Sequence, residues 1–107
     1  METLEKLHQN GIPLDYKEIQ MLCNKYRVKE FSVFGSSLRD DFNENSDIDI
    51  LVSFEENAEI SLFDLMDLEN ELSEKLHRKV DLVEKEALKN PIRKKSILES
   101  REVVYAS

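Results

Sequence analysis

With two glycines, two prolines and one cysteine in 107 residues, this chain has little of what builds linkers, low-complexity tracts or disulfide frameworks. The lone Cys23 excludes an internal disulfide and a cysteine-based zinc site, and a reducing cytoplasm fits that usage. Apolar runs stop after a few residues, so no segment is long enough to span a bilayer. Positive charge is also in deficit: 15 Lys and Arg stand against 23 Asp and Glu, a formal net charge of −8. A protein that grips nucleic-acid backbone needs a basic face, and this balance argues against one. Arg93-Lys94-Lys95 and Arg78-Lys79 are the local exceptions, and both read as solvated helix and loop charges. The start, Met1-Glu-Thr-Leu-Glu-Lys, lacks the basic leader and apolar block of a signal peptide.

What the chain does have is a clear alternation of helical and extended patterns, at a length that predicts one domain with a single core. Leu4 and Leu7 predict a short helix over 2–9, stopped by Gly11. Asp15 and Glu18 have capping-box spacing and open a firmer helix to Tyr26, with Ile19, Leu22, Cys23 and Tyr26 as its buried stripe. Cys23 is a small core residue on this reading, because no activating neighbour is identifiable. Ser61 caps a long helix to about His77, in which Leu62, Leu65, Leu68, Leu72 and Leu76 recur at core-facing spacing. His77 ends that helix for dipole reasons, and neither it nor His8 is read as a ligand. Asn90-Pro91 marks the N-cap and first position of a helix to about Ser100. Extended segments are predicted near 30–34, over 47–54, around Val80-Asp81-Leu82-Val83, and at Val103-Val104-Tyr105 as an edge strand. The order indicates an α/β or α+β domain with a small mixed β-sheet flanked by helices.

Chemistry concentrates where the first two extended runs meet. Phe31-Ser32-Val33-Phe34 stops at Gly35-Ser36, and after a short helical turn and a polar loop the chain continues as Ser46-Asp47-Ile48-Asp49. Side chains alternate along a strand, so Asp47 and Asp49 share a face with Cα atoms about 7 Å apart. Two carboxylates held together repel unless a cation lies between them, which makes the pair a candidate magnesium site. Gly35 lets backbone approach a phosphate without a Cβ. Asp81 shares its strand face with Val83, opposite Val80 and Leu82. Three acids suit the two-metal logic of nucleotidyl transfer, in which carboxylates bridge two magnesium ions and a third can accept the nucleophile's proton. Ser36 and Arg39 would donate to the departing phosphates.

Gly35-Ser36, ten intervening residues and Asp47-x-Asp49 resemble the signature of the polymerase-β-like nucleotidyltransferase superfamily. The Gly-Ser-x-x-Arg opening and the Ser-Asp-Ile-Asp-Ile-Leu-Val run resemble its minimal branch, the MNT domains, and Asp81 sits where that branch carries its third acid. The resemblance covers roughly residues 30 to 84. It implies a polymerase-β-like fold binding Mg²⁺ and a nucleoside triphosphate. It further implies an antitoxin that moves AMP from ATP onto a tyrosine of a partner HEPN toxin. By the resemblance, Gly35, Ser36 and Arg39 bind nucleotide, Asp47 and Asp49 bind both metals, and Asp81 is third ligand and base. After Arg39 this chain has Asp40-Asp41 where the family often has glycine. Two other readings stand beside this one: an acidic protein that masks a basic partner without catalysis, and a small-molecule nucleotidyltransferase, for which 107 residues leave little substrate-binding room.

Overall fold

Helices and strands follow one another in the expected order in the computed structural model of the chain, which describes residues 2–38, 43 and 45–107, with Glu2, Thr3, Ser36 and Ser37 as backbone alone. Helices α1 (Glu2–Gln9) and α2 (Tyr16–Tyr26) precede strand β1 (Val28–Phe34) and a 3₁₀ turn over Gly35–Leu38. Strand β2 (Ile48–Phe54), helix α3 (Leu62–Leu76) and strand β3 (Val80–Glu84) follow. A 3₁₀ turn at Lys85–Ala87 leads to helix α4 (Pro91–Ser100) and strand β4 (Glu102–Ala106).

The strands form one mixed sheet in the order β3-β2-β1-β4. β1 runs antiparallel to both β2 and β4, whereas β2 and β3 are parallel and joined through α3. A parallel pair needs such a crossover, and a helix of four turns supplies it.

Strand alternation divides the side chains between two faces. Phe31, Val33, Ile48, Ile50, Val52 and Val80 pack against Leu7, Ile19, Leu22, Cys23, Leu68, Leu72 and Leu76 from the first three helices. On the reverse face Phe34 and Leu51 pack beneath Ile97 of α4, with Val83, Leu88 and Leu98 around them. β2 is therefore covered on both sides, which explains its near-continuous apolar run.

Two local expectations need correcting. Leu62 does not join the core stripe of α3: it is 71% exposed, and its neighbour Phe63 is exposed with it, so the buried stripe is set by Leu68, Leu72 and Leu76 further along the helix. Asp15 occupies the N-cap position of α2 with extended backbone, but its side chain makes no capping hydrogen bond. Ser61 does cap α3, accepting from Asp64 N–H while the Asp64 carboxylate accepts from Ser61 N–H. Asn90 likewise accepts from the Ile92 and Arg93 amides at the start of α4.

Helices α2 and α3 are pinned by a small polar cluster. The Tyr26 hydroxyl donates to Glu71 Oε2, and Lys25 Nζ lies 3.0 Å from Glu71 Oε1. The Tyr26 hydrogen bond, followed by Lys25, holds the Glu71 carboxyl below the usual carboxylate range. Burial, and then the Glu71 carboxylate, push the Tyr26 phenol up. A carboxyl depressed on folding contributes stability that is present above its unfolded pKa and lost as pH falls through the folded value. Tyr26→Phe is expected to cost about 0.5–1 kcal/mol at neutral pH, since the site is partly solvated. Urea unfolding at neutral pH and near pH ~3 checks it: the loss should shrink in acid, and an equal loss at both values would remove the carboxylate from the account.

Candidate active site

The site is built at the end of the sheet where β1 stops and β2 and β3 begin. Phe34, the last residue of β1, pairs with Asp49, the second residue of β2. The chain then leaves the strand through Gly35, whose φ of 69° lies in the left-handed region. This turn sits directly against Asp49. A Cβ at Gly35 would overlap Asp49 Oδ2 and stand 3.3 Å from the carboxyl carbon. The glycine thus serves the backbone angle and the approach of a carboxylate together.

Parallel pairing of β2 with β3 sets Asp49 beside Asp81. Aligned residues on neighbouring strands project to one side, and their backbones are about 4.8 Å apart. The side they share is the α4 face, one alternation ahead of Leu51 and Val83. Asp47 stands one residue before β2 and two before Asp49, with Lys79 Nζ 4.0 Å from its Oδ2. Asp47 and Asp49 are half-buried, whereas Asp81 is exposed. An exposed carboxylate beside a half-buried one leaves the outer rim open to a second molecule.

Among the described residues, no three His, Cys, Asp or Glu side chains already close on a common point as a preformed metal cage would. Magnesium does not demand such a cage. It is commonly held by one or two carboxylates together with water and substrate phosphates. The donors gathered here are all carboxylate oxygens, and the bare Cα of Gly35 leaves room beside them. The residues present fit a hard divalent cation carrying a polyphosphate.

Other expected participants are placed only in part. Ser36 lies in the 3₁₀ turn that follows β1, but its hydroxyl lies outside the described residues. Arg39 and the unusual Asp40-Asp41 pair are also outside them. Cys23 is buried and its thiol is pushed up to about 12 by burial, as befits a core residue. His77 caps α3 with a left-handed backbone, and His8 Nε2 sits 2.6 Å from the Leu14 carbonyl in the α1–α2 connection. Sequence reasoning missed Arg78, which it treated as solvated charge. Its guanidinium instead holds the segment just ahead of Asp47. The one available signal was its position two residues before a strand that carries a candidate acid.

Comparison with known proteins gives a consistent result. The family model described as "Nucleotidyltransferase domain" matches residues 17–104. The protein adenylyltransferase MntA of Thermococcus cleftensis is 41% identical over 105 residues, covering 98% of this chain and 97% of its own. A toxin–antitoxin crystallised with AMP-PNP superposes with a TM-score of 0.71 at 21% identity, covering 88% of this chain and 75% of that one. A structure of tri-AMPylated Shewanella oneidensis HEPN toxin in complex with MNT antitoxin gives 0.64 at 18% identity, covering 94% and 73%. At these identities the two solved structures share the fold.

Proposed function

Given that this chain belongs to the nucleotidyltransferase domain family, in its protein-adenylyltransferase branch, we propose that it transfers AMP from ATP to a tyrosine hydroxyl of a HEPN toxin and thereby acts as an antitoxin. The observation that carries this reading is the pairing of Asp49 with Asp81 against the bare Cα of Gly35. The hydroxyl oxygen bonds to the α-phosphorus, the bond from that phosphorus to the bridging oxygen breaks, and pyrophosphate leaves. Asp81, exposed at the rim, takes the hydroxyl proton and can meet an acceptor presented by another protein. Asp47 and Asp49 would hold two Mg²⁺ ions, with Asp81 as a third ligand. Bound there, Mg²⁺ supplies Lewis-acid charge to the triphosphate and lowers the pKa of the attacking hydroxyl. Gly35, Ser36 and Arg39 would bind the phosphates, through backbone N–H groups of the glycine turn, a serine hydroxyl and a guanidinium. An ATP-dependent activity suits the cytoplasm, where the lone Cys23 would stay a thiol.

Incubation with ATP, Mg²⁺ and a HEPN partner, followed by intact-mass measurement, tests the proposal. The partner should gain whole AMP units on tyrosine, and an unmodified partner that is nonetheless silenced would favour the masking reading. That second reading draws on the net charge of −8, which suits a basic partner surface.

A further inference from the structure

Asn43, Asn45 and Ser46, just ahead of Asp47, are tied to one another in a turn. Ser46 N–H donates to the Asn43 carbonyl at 3.0 Å, Asn45 N–H donates to Asn43 Oδ1 at 2.8 Å, and Asn43 N–H donates to Ser46 Oγ at 3.2 Å. Two carbonyls of this turn receive a guanidinium from another part of the chain. Arg78 Nη1 donates to Asn43 O at 3.0 Å and to Ser46 O at 3.1 Å, while Nη2 donates to Asn43 O at 3.0 Å. Arg78 belongs to the short connection between α3 and β3, three residues ahead of Asp81. The next residue continues the attachment: the Lys79 carbonyl accepts from Ile48 N–H at 3.0 Å, and its ammonium faces Asp47.

These contacts lock the start of β2 to the start of β3 on both sides of Asp47. Bonds from a charged donor are the stronger kind, and a planar fork fixes direction as well as distance. A loop carbonyl pair held by one rigid group cannot drift without breaking three bonds together. We infer that Arg78 is a positioning residue for the transferase, latching Asn43 and Ser46 so that Asp47 stands beside Asp49 and Asp81. Arg78 acts through the backbone that carries Asp47 and does not itself touch the reacting atoms. The inference rests on the adenylyltransferase reading for its catalytic meaning, while the latch is testable without it.

Amide hydrogen exchange of the nucleotide-free full chain is the first measurement. In Arg78→Ala, the Ser46 and Ile48 amides should exchange at least ~10-fold faster, while the Val52 amide in mid-β2 keeps its protection. Unchanged protection at Ser46 and Ile48 would overturn the latch. Calorimetry with Mg²⁺ and α,β-methylene-ATP, which cannot yield AMP, then follows Arg78→Ala, Asp47→Asn and the double substitution. Acting through Asp47 requires that the double variant bind no more weakly than Asp47→Asn alone, and additive losses would refute that route. AMP transfer by Arg78→Ala should fall about 100-fold, as misplacement of a reacting group by an ångström does. Added guanidinium ion should restore part of it, and Arg78→Lys should not, since one ammonium cannot span both carbonyls. A fully active Arg78→Lys would remove the fork from the argument. A wild-type chain that neither transfers AMP nor binds the analogue would sink the transferase reading, and the exchange experiment would still decide on the latch.

Discussion

Replacing Asp49 by asparagine is expected to lower AMP transfer by at least about 10³-fold while the protein stays folded. The two side chains have nearly the same shape, so the packing against Gly35 is kept and only the charge is removed. That charge is what a carboxylate contributes to a polyphosphate–magnesium centre, and its loss acts on the transition state, where negative charge is being redistributed. Folding has the opposite interest. Asp49 lies beside Asp81 and two residues from Asp47, so neutralising it relieves repulsion among like charges. The melting temperature of Asp49→Asn should therefore equal or exceed that of the parent. Initial rates with ATP and a HEPN acceptor, set beside thermal melts, measure both. A variant that keeps a tenth of the parental rate or more would end the case for Asp49 as a centre of the chemistry.

A second large effect is expected at Gly35, and Gly11 provides its internal control. Both residues have positive φ, 69° and 77°, so an alanine at either pays about 1–2 kcal/mol in backbone strain. Their surroundings differ. Among the described residues nothing lies within 4 Å of a Cβ built on Gly11, whereas the same atom on Gly35 would run into the Asp49 carboxylate. Gly11→Ala should therefore lose stability and keep its activity. Gly35→Ala should lose at least as much stability and about 100-fold in transfer, because the carboxylate must move aside. Urea unfolding and initial rates at saturating ATP separate the two consequences. Equal activity in the two variants would show that the close approach at Gly35 has no catalytic role.

Much of this architecture was legible because its signals are local. The Ser61 cap, the Asn90-Pro91 start of α4 and the glycine at the end of β1 are each decided by a few neighbouring residues, and all three stand where the sequence puts them. Position 81 was expected to share a strand face with Val83, and it does so next to Asp49. The parts that were not legible depend on distant packing. Nothing near Leu62 announces that the first turn of α3 leaves it and Phe63 exposed. Ser53, a polar residue within the apolar run of β2, is buried and donates to Glu86, a partner more than thirty residues away in the turn after β3. Arg78 looks like one surface charge among many until the fold brings Asn43 and Ser46, more than thirty residues earlier, against it.

Helix α3 has a consequence for how such a chain can change over generations. Its 15 residues span the gap between two strands that run the same way, so the helix works as a spacer of fixed length. Inserting one residue would turn everything beyond it by about 100° and push it ~1.5 Å along the axis, carrying Leu76 off the core and Asp81 away from its neighbour. The stretch from Glu55 to Ile60, ahead of the Ser61 cap, can gain or lose residues at far smaller cost. Descent should therefore leave insertions and deletions in that stretch and almost none between Ser61 and Asp81.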